Sequence, residues 1–301
     1  MKLPVVASLS AILICMGLLG VPAVKAQDVQ REKVSVSAKL VLDAAGPKQR
    51  DAINAVYLMV CPKDDSAGTS FLLSTGVIVT NQHVVASCSA SELFAISSAN
   101  SRIHFTSLAS DTRRDLAFLK PAEHLVGGLQ LADDSDPKPG TEVTTWGYPL
   151  LYTDTYPLLS VGYIAGYRQV QAQGHAVKHM VVNAAFNHGN SGGPLMFAQD
   201  NKVIGVVVAT YHFFPEYVDS TIQTLKQPHG GFMSGAFSIR SADGTQTPVM
   251  DQQVIGIILE EFYKKTQVMI GEAISGSEVR AALAEHPTIA GAVDHPSSRA
   301  R

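Results

Sequence analysis

The chain has 301 residues, 46% of them hydrophobic and 16% charged, with 23 basic against 26 acidic side chains and a net charge of −3. That balance argues against a nucleic-acid-binding surface, and the length suffices for one large domain or two small ones with real cores.

Lys2, the apolar run VVASLSAILICMGLLGV and the small-residue segment AVKA follow in the order of a secretory signal peptide cleaved after Ala26. A single uncleaved membrane anchor is the alternative. Cys15 follows Ile14 rather than Gly or Ala, which argues against lipid attachment. Removing residues 1–26 takes away Lys2 and Lys25 and leaves 21 basic against 26 acidic residues, net −5. With no second apolar run of spanning length, the mature chain is expected to be soluble and periplasmic or secreted. Its two cysteines, Cys61 and Cys88, suit a bridge in an oxidising compartment closing a loop around His83; two separate buried thiols are the other reading.

Residues 27–54 are polar and charged and read as an N-terminal arm, with a short helix or a pro-segment as its content. Twelve apolar runs of strand length follow at 55–61, 69–74, 76–81, 93–98, 102–108, 116–120, 142–148, 159–167, 179–184, 194–197, 202–210 and 267–275. Turn formers such as KDDSAG, ADDSDPKPG and FAQDN separate them, so the pattern predicts an all-β sandwich or barrel rather than βαβ units. Residues 211–266 break it as a partly helical insertion, with Val254, Ile257, Ile258 and Phe262 on one helical face suited to a core or a lid. Near the end, SGSEVRAALAEHP predicts a helix with Ser277 as N-cap and Pro287 as stop, followed by a disordered tail over 286–301. There is no internal repeat at short period.

Three local sequences carry chemistry together. In GTSFLLSTGVIVTNQHVV two strands run into His83, in RRDLAFLK Asp115 opens an apolar strand, and NHGNSGGPL holds Ser191 among three glycines. With WGYP at 146–149 and VIGVVVAT after the serine, they resemble the chymotrypsin-fold serine peptidases, in the bacterial trypsin-like branch that includes the HtrA/Deg envelope proteases. The order His, Asp, Ser, spaced by 32 and 76 residues, is that of the family, and the resemblance runs over about residues 55–210.

The resemblance implies two six-stranded antiparallel β-barrels and a C-terminal helix within a peptidase domain at 55–285. It also implies a His83–Asp115–Ser191 triad hydrolysing peptide bonds in protein or peptide substrates, with no cofactor. A serine hydroxyl needs a base at neutral pH, imidazole titrates in the useful range, and a carboxylate holds the ring in its working tautomer. Gly189 and Ser191 would present their N–H groups to the oxyanion. The family position at the base of the primary pocket falls on Ala185, beside Phe186, so uncharged small or medium apolar P1 residues are expected, with His188 at the rim as a candidate for acidic side chains. The family often has a disulfide near the catalytic histidine, and Cys61 with Cys88 would be a displaced version of it.

The chain departs from the branch at GTSF, where Ser70 stands for a usual glycine, and leaves no space for a PDZ domain after the barrel. The alternative from another class is a catalytically silent barrel acting as a secreted binding module. A metal site is suggested only by His175 and His179, spaced i, i+4 in HAVKH, without a glutamate or a third ligand.

Overall fold

The computed structural model describes residues 36–133, 136–149, 156–208, 216–226, 238–240, 246–248, 250–265 and 270–290. The expected signal segment and the last eleven residues of the expected tail lie outside that set.

Two helices lead in, α1 (Val36–Ala44) and α2 (Pro47–Asn54), the second started by a proline at its first turn where no N–H is needed. Strands β1 (Val56–Cys61), β2 (Ser66–Leu72), β3 (Ile78–Thr80), β4 (Phe94–Ile96), β5 (Arg102–Asp111) and β6 (Leu116–Pro121) close a barrel in the order β1-β2-β3-β6-β5-β4. A one-turn helix, α3 (Gln82–Val85), follows β3. Strands β7 (Glu142–Gly147), β8 (Leu158–Ala172), β9 (His175–Asn183), β10 (Pro194–Phe197), β11 (Val203–Val208) and β14 (Gly271–Ser275) close a second, in the order β10-β11-β14-β9-β8-β7. All the paired strands of both barrels run antiparallel.

The period of two along each strand divides the apolar residues among three main cores and a small cluster of Val60, Phe94 and Ile96 on β1 and β4. Tyr57, Met59 and Cys61 of β1 face into the first barrel with Ile103, Phe105, Ala117 and Leu119. Val143, Ile164, Met180, Val182, Leu195, Ile204 and Ala273 fill the second. The opposite faces of the first barrel's strands, through Val56, Phe71, Val79, Leu116 and Phe118, meet Trp146, Tyr148, Met196, Val206 and Ile274 in an apolar seam between the barrels. Ala52 and Ile53 of α2 are fully buried in that seam, so the end of the expected arm is part of the core.

Between β11 and β14 the insertion contains helix α4 (Glu216–Lys226), a two-stranded sheet of β12 (Ser238–Arg240) and β13 (Gln246–Pro248), and helix α5 (Asp251–Lys265). Of the expected helical stripe, Val254 and Ile257 are half-buried, Ile258 is exposed and the side chain of Phe262 lies outside the described residues. Gly256 packs on Leu225, Gln253 donates to Lys226 O at 3.0 Å, and Ile258 is exposed with Ile255 and Leu259.

The C-terminal helix α6 (Gly276–Glu285) starts two residues earlier than expected: Ser275 occupies the N-cap with extended backbone, and Ser277 lies inside the helix, its hydroxyl 2.8 Å from that of Ser275. Pro287 does not open a disordered tail. Pro287–Ala290 form a further helical turn, α7, whose Ile289 is buried in the seam.

Candidate active site

His83 sits on α3, directly after β3, with Val84 and Val85 anchored in the first barrel's core. Asp115 occupies the turn between β5 and β6 at φ +53°, left-handed backbone that Asp adopts more readily than most residues. That geometry turns the whole residue toward His83. Its Oδ2 lies 2.7 Å from His83 Nδ1, its Oδ1 accepts from the His83 N–H at 2.9 Å, and its carbonyl accepts from Gln82 N at 3.1 Å and Asn81 Nδ2 at 3.0 Å. A ring whose Nδ1–H is held by a carboxylate keeps Nε2 as its acceptor nitrogen.

The Ser191 turn belongs to the second barrel but is held by the first. Asn190 N donates to Asn187 O at 2.9 Å, and Gly189, third in that turn, has φ +97°, the positive value that a type II turn requires there. Gly192 has φ +85°, and a Cβ on it would lie 2.1 Å from Thr69 O and 2.2 Å from Thr80 Oγ1, so only glycine fits. The amides of Asn190, Gly192 and Gly193 are bonded internally, to Asn187 O, Val207 O and Asn190 O.

Thr69 is the link that sequence reasoning missed. Its N–H donates to Ser191 O at 2.8 Å and its hydroxyl to Gly189 O at 2.6 Å. Gly68, next to it, lies between Val84 and Ser191: an added Cβ would come 2.8 Å from Val84 Cγ2 and 3.1 Å from Ser191 O. The neighbour of His83 and the backbone of Ser191 thus flank the same β2 residue. His83's side chain is half-exposed, whereas Ser191 is buried.

A second unread feature surrounds Arg113 and Arg114, just before Asp115. Arg114 donates to Asp111 Oδ2 at 2.5 Å, to Glu278 Oε2 at 3.0 Å and to Glu285 Oε1 at 2.9 Å, and Arg113 to Glu285 Oε2 at 2.6 Å. Burial pushes the Asp111 carboxyl up, but hydrogen bonds from Arg114 outweigh it and hold the group below its ordinary value. Glu285 is lowered by its hydrogen bond to Arg114, and the same bond, against some desolvation, raises the guanidinium.

Of the expected pocket residues, Ala185 is half-buried, His188 is exposed and Phe186 is buried in the second core, where a Cβ on Gly271 would come 2.1 Å from its ring. Cys61 and Cys88 form a disulfide, Cα atoms 5.8 Å apart. His175 and His179 lie on strand β9, four residues and about 13 Å apart along it. His179 is buried with Nδ1 3.0 Å from Glu272, which also accepts from Arg168 at 2.7 Å.

Two six-stranded antiparallel barrels that meet along a seam, with a His–Asp pair from one and a serine turn from the other, make the chymotrypsin-like fold. Within that class residues 68–206 match the trypsin-like peptidase domain. It is 32% identical over 165 residues to the "Probable periplasmic serine endoprotease DegP-like" of Rickettsia prowazekii (strain Madrid E), covering 53% of this chain and 31% of the relative. The protein of the same name from Pseudomonas fulva (strain 12-X) is 27% identical over 237 residues, covering 75% and 45%. The chain therefore spans less than half the length of these curated relatives.

Among solved structures, the active form of the Rv3671c protease from M. tuberculosis is 18% identical, with 79% of this chain and 83% of that one covered and a TM-score of 0.52. The HtrA-type protease AlgW with decapeptide is 18% identical, with 79% and 67% covered and a TM-score of 0.51.

Proposed function

We propose that this chain is an exported serine endopeptidase that hydrolyses peptide bonds through His83, Asp115 and Ser191. The observation that carries the reading is the pairing of His83 with Asp115 through both ring and main chain, at 2.7 and 2.9 Å, together with a serine turn in which Gly189 and Gly192 have positive φ.

Ser191 Oγ attacks the scissile carbonyl while His83 Nε2 takes its proton; the same proton then goes to the leaving amine as the C–N bond breaks. Water repeats the sequence on the acyl-enzyme, giving the carboxylic acid and restoring Ser191. The amides of Gly189 and Ser191 receive the charge that develops on the carbonyl oxygen. Loss of one such donor costs about 3–4 kcal/mol of transition-state stabilisation.

Buried Phe186 packed on Gly271 shortens the space beyond Ala185, and neither residue carries charge. Both features support small or medium apolar P1 residues over basic ones. His188, exposed at the turn, would meet the substrate from the rim. The periplasmic relatives and the disulfide support export and an extracytoplasmic site of action. Full burial of Ala52 and Ile53 supports an arm retained in the active form up to α2.

The test is peptide-library cleavage by the mature protein beside a Ser191→Ala control, with fluorophosphonate labelling of both. Cleavage and labelling should disappear together in the control. Cleavage that survives the substitution would refute the assigned nucleophile, and folded wild-type protein that neither cleaves nor labels would instead favour a silent binding module.

A further inference from the structure

Thr69 is fully buried on β2, yet each of its polar atoms is engaged. Its hydroxyl donates to Gly189 O at 2.6 Å and accepts from Tyr148 N–H at 2.9 Å, at the end of β7. Its amide donates to Ser191 O at 2.8 Å, and its carbonyl accepts from Thr80 Oγ1 at 2.7 Å. One residue of the first barrel therefore grips the serine turn of the second at two peptides, on either side of Asn190.

The geometry points to Thr69 as a positioning residue for the oxyanion turn, which it fixes relative to His83 through β2 and β3. This inference rests on the serine-peptidase reading above. Pinning the Gly189 and Ser191 carbonyls leaves little freedom to the backbone between them, and that backbone sets where the Ser191 N–H and Oγ point. The hydroxyl is suited to the task because it donates and accepts at once. Valine has the same shape and does neither, so it would leave the Gly189 carbonyl and the Tyr148 amide unsatisfied in a buried place. Sequence position also matters, since Thr80, which holds Thr69 O, ends the strand that leads to His83 through Asn81 and Gln82. A displacement of the turn would thus be a displacement relative to the base.

The test compares Thr69→Val, Thr69→Ser and Ser70→Ala. Ser70 is the buried neighbour whose hydroxyl lies 3.4 Å from Tyr57 O. Steady-state kinetics are read with inhibition by a peptide aldehyde, whose hemiacetal places an oxyanion in the site, and with thermal unfolding. T69V should lose about 10- to 100-fold in kcat with KM little changed, and bind the aldehyde more weakly by a similar factor. T69S, which keeps the hydroxyl, should restore kcat to within about threefold of wild type, and S70A should lose stability without that loss of kcat.

Unchanged kcat in T69V, or T69S as impaired as T69V, would overturn the inference. If T69V fails to fold, Thr69→Ala takes its place under the same criteria. A wild-type enzyme that needs Ser191, beside a fully active T69V, sinks this inference alone and leaves the peptidase reading standing.

Discussion

Replacing Cys61 and Cys88 together by alanine should cost the protein much stability and little catalytic power. The bridge joins the end of β1 to the residues just after α3, across a sequence separation of 27, and encloses β2, β3 and His83. For a closed loop of that size the chain-entropy relation gives a loss of about 12 cal/mol/K from the unfolded ensemble, or about 3.6 kcal/mol at 25 °C. In a domain of this size such a change lowers Tm by about 7–14 °C. The His83–Asp115 geometry, however, is also held by Gln82 N and Asn81 Nδ2 on the Asp115 carbonyl and by His83 N on Oδ1, bonds from the loop to Asp115 outside it that do not need the bridge. A tenfold loss of kcat would require about 1.4 kcal/mol of lost transition-state stabilisation, so kcat at 25 °C should stay within about threefold. The assay is thermal unfolding followed by circular dichroism, with peptide hydrolysis well below the variant's Tm. A Tm shift under about 3 °C would refute the entropic account, and a kcat loss above about 30-fold in the folded variant would show that the bridge itself orders the base.

Three further outcomes follow from the same geometry. Asp115→Asn should lower kcat by about 10⁴-fold, as expected when the ring loses its enforced tautomer, with little change in Tm because the amide oxygen can still accept from His83 N–H; a loss under about tenfold would remove Asp115 from the triad. Phe186→Ala should open space beside Gly271 and raise kcat/KM for Leu or Phe at P1 relative to Ala by about tenfold, read by competition between paired peptides. Arg114→Met should destabilise by about 2 kcal/mol, between the cost of an exposed pair and that of a buried one, because Asp111 is buried whereas Glu285 is open to water. Asp111 and Glu285 have lowered folded-state pKa values, so their contribution is fully present above the ordinary values of 3.8 and 4.5 and is lost as pH falls through the lowered ones. The stability gap between wild type and R114M should therefore shrink in acid, measured by denaturant titration between pH 7 and pH 3.

The twelve barrel strands were legible because each buries an apolar face whose period is written into the chain. The ends of β8 and β9 were not. Beyond residue 167 the run RQVQAQGHAVKH has no sustained apolar alternation, since that part of the hairpin is largely exposed, and its turn at Gln173 and Gly174 is made by two positive φ values. On β9 the i, i+4 spacing of His175 and His179 separates them instead of pairing them. His83, Asp115 and Ser191 could be proposed as a triad from the sequence because their types, order and glycine context are local text. Thr69 and Arg114 were not, because their meaning lies in partners 120 and 164 residues away. A single sequence shows a buried hydroxyl on a strand as one more β-former.

Those distant partners have a common placement. Thr69 ties the first barrel to the turn that carries Ser191, and Arg113 with Arg114 ties the residues before Asp115 to α6, which continues directly from the last strand of the second barrel. A third tie joins α2 to the β10–β11 turn, with Lys48 Nζ donating to Ala198 O at 2.7 Å and Asn201 Nδ2 to Lys48 O at 2.8 Å. The apolar seam supplies most of the adhesion between barrels but is non-directional, and it tolerates sliding better than a hydrogen bond does. The polar ties instead fix direction, and two of the three act on residues adjoining the site. Loss of a seam side chain should therefore lower stability in proportion to the area and cavity involved, whereas loss of a tie should move the halves of the site relative to each other for a smaller cost in stability. The ratio of kcat loss to Tm loss separates the two classes of residue.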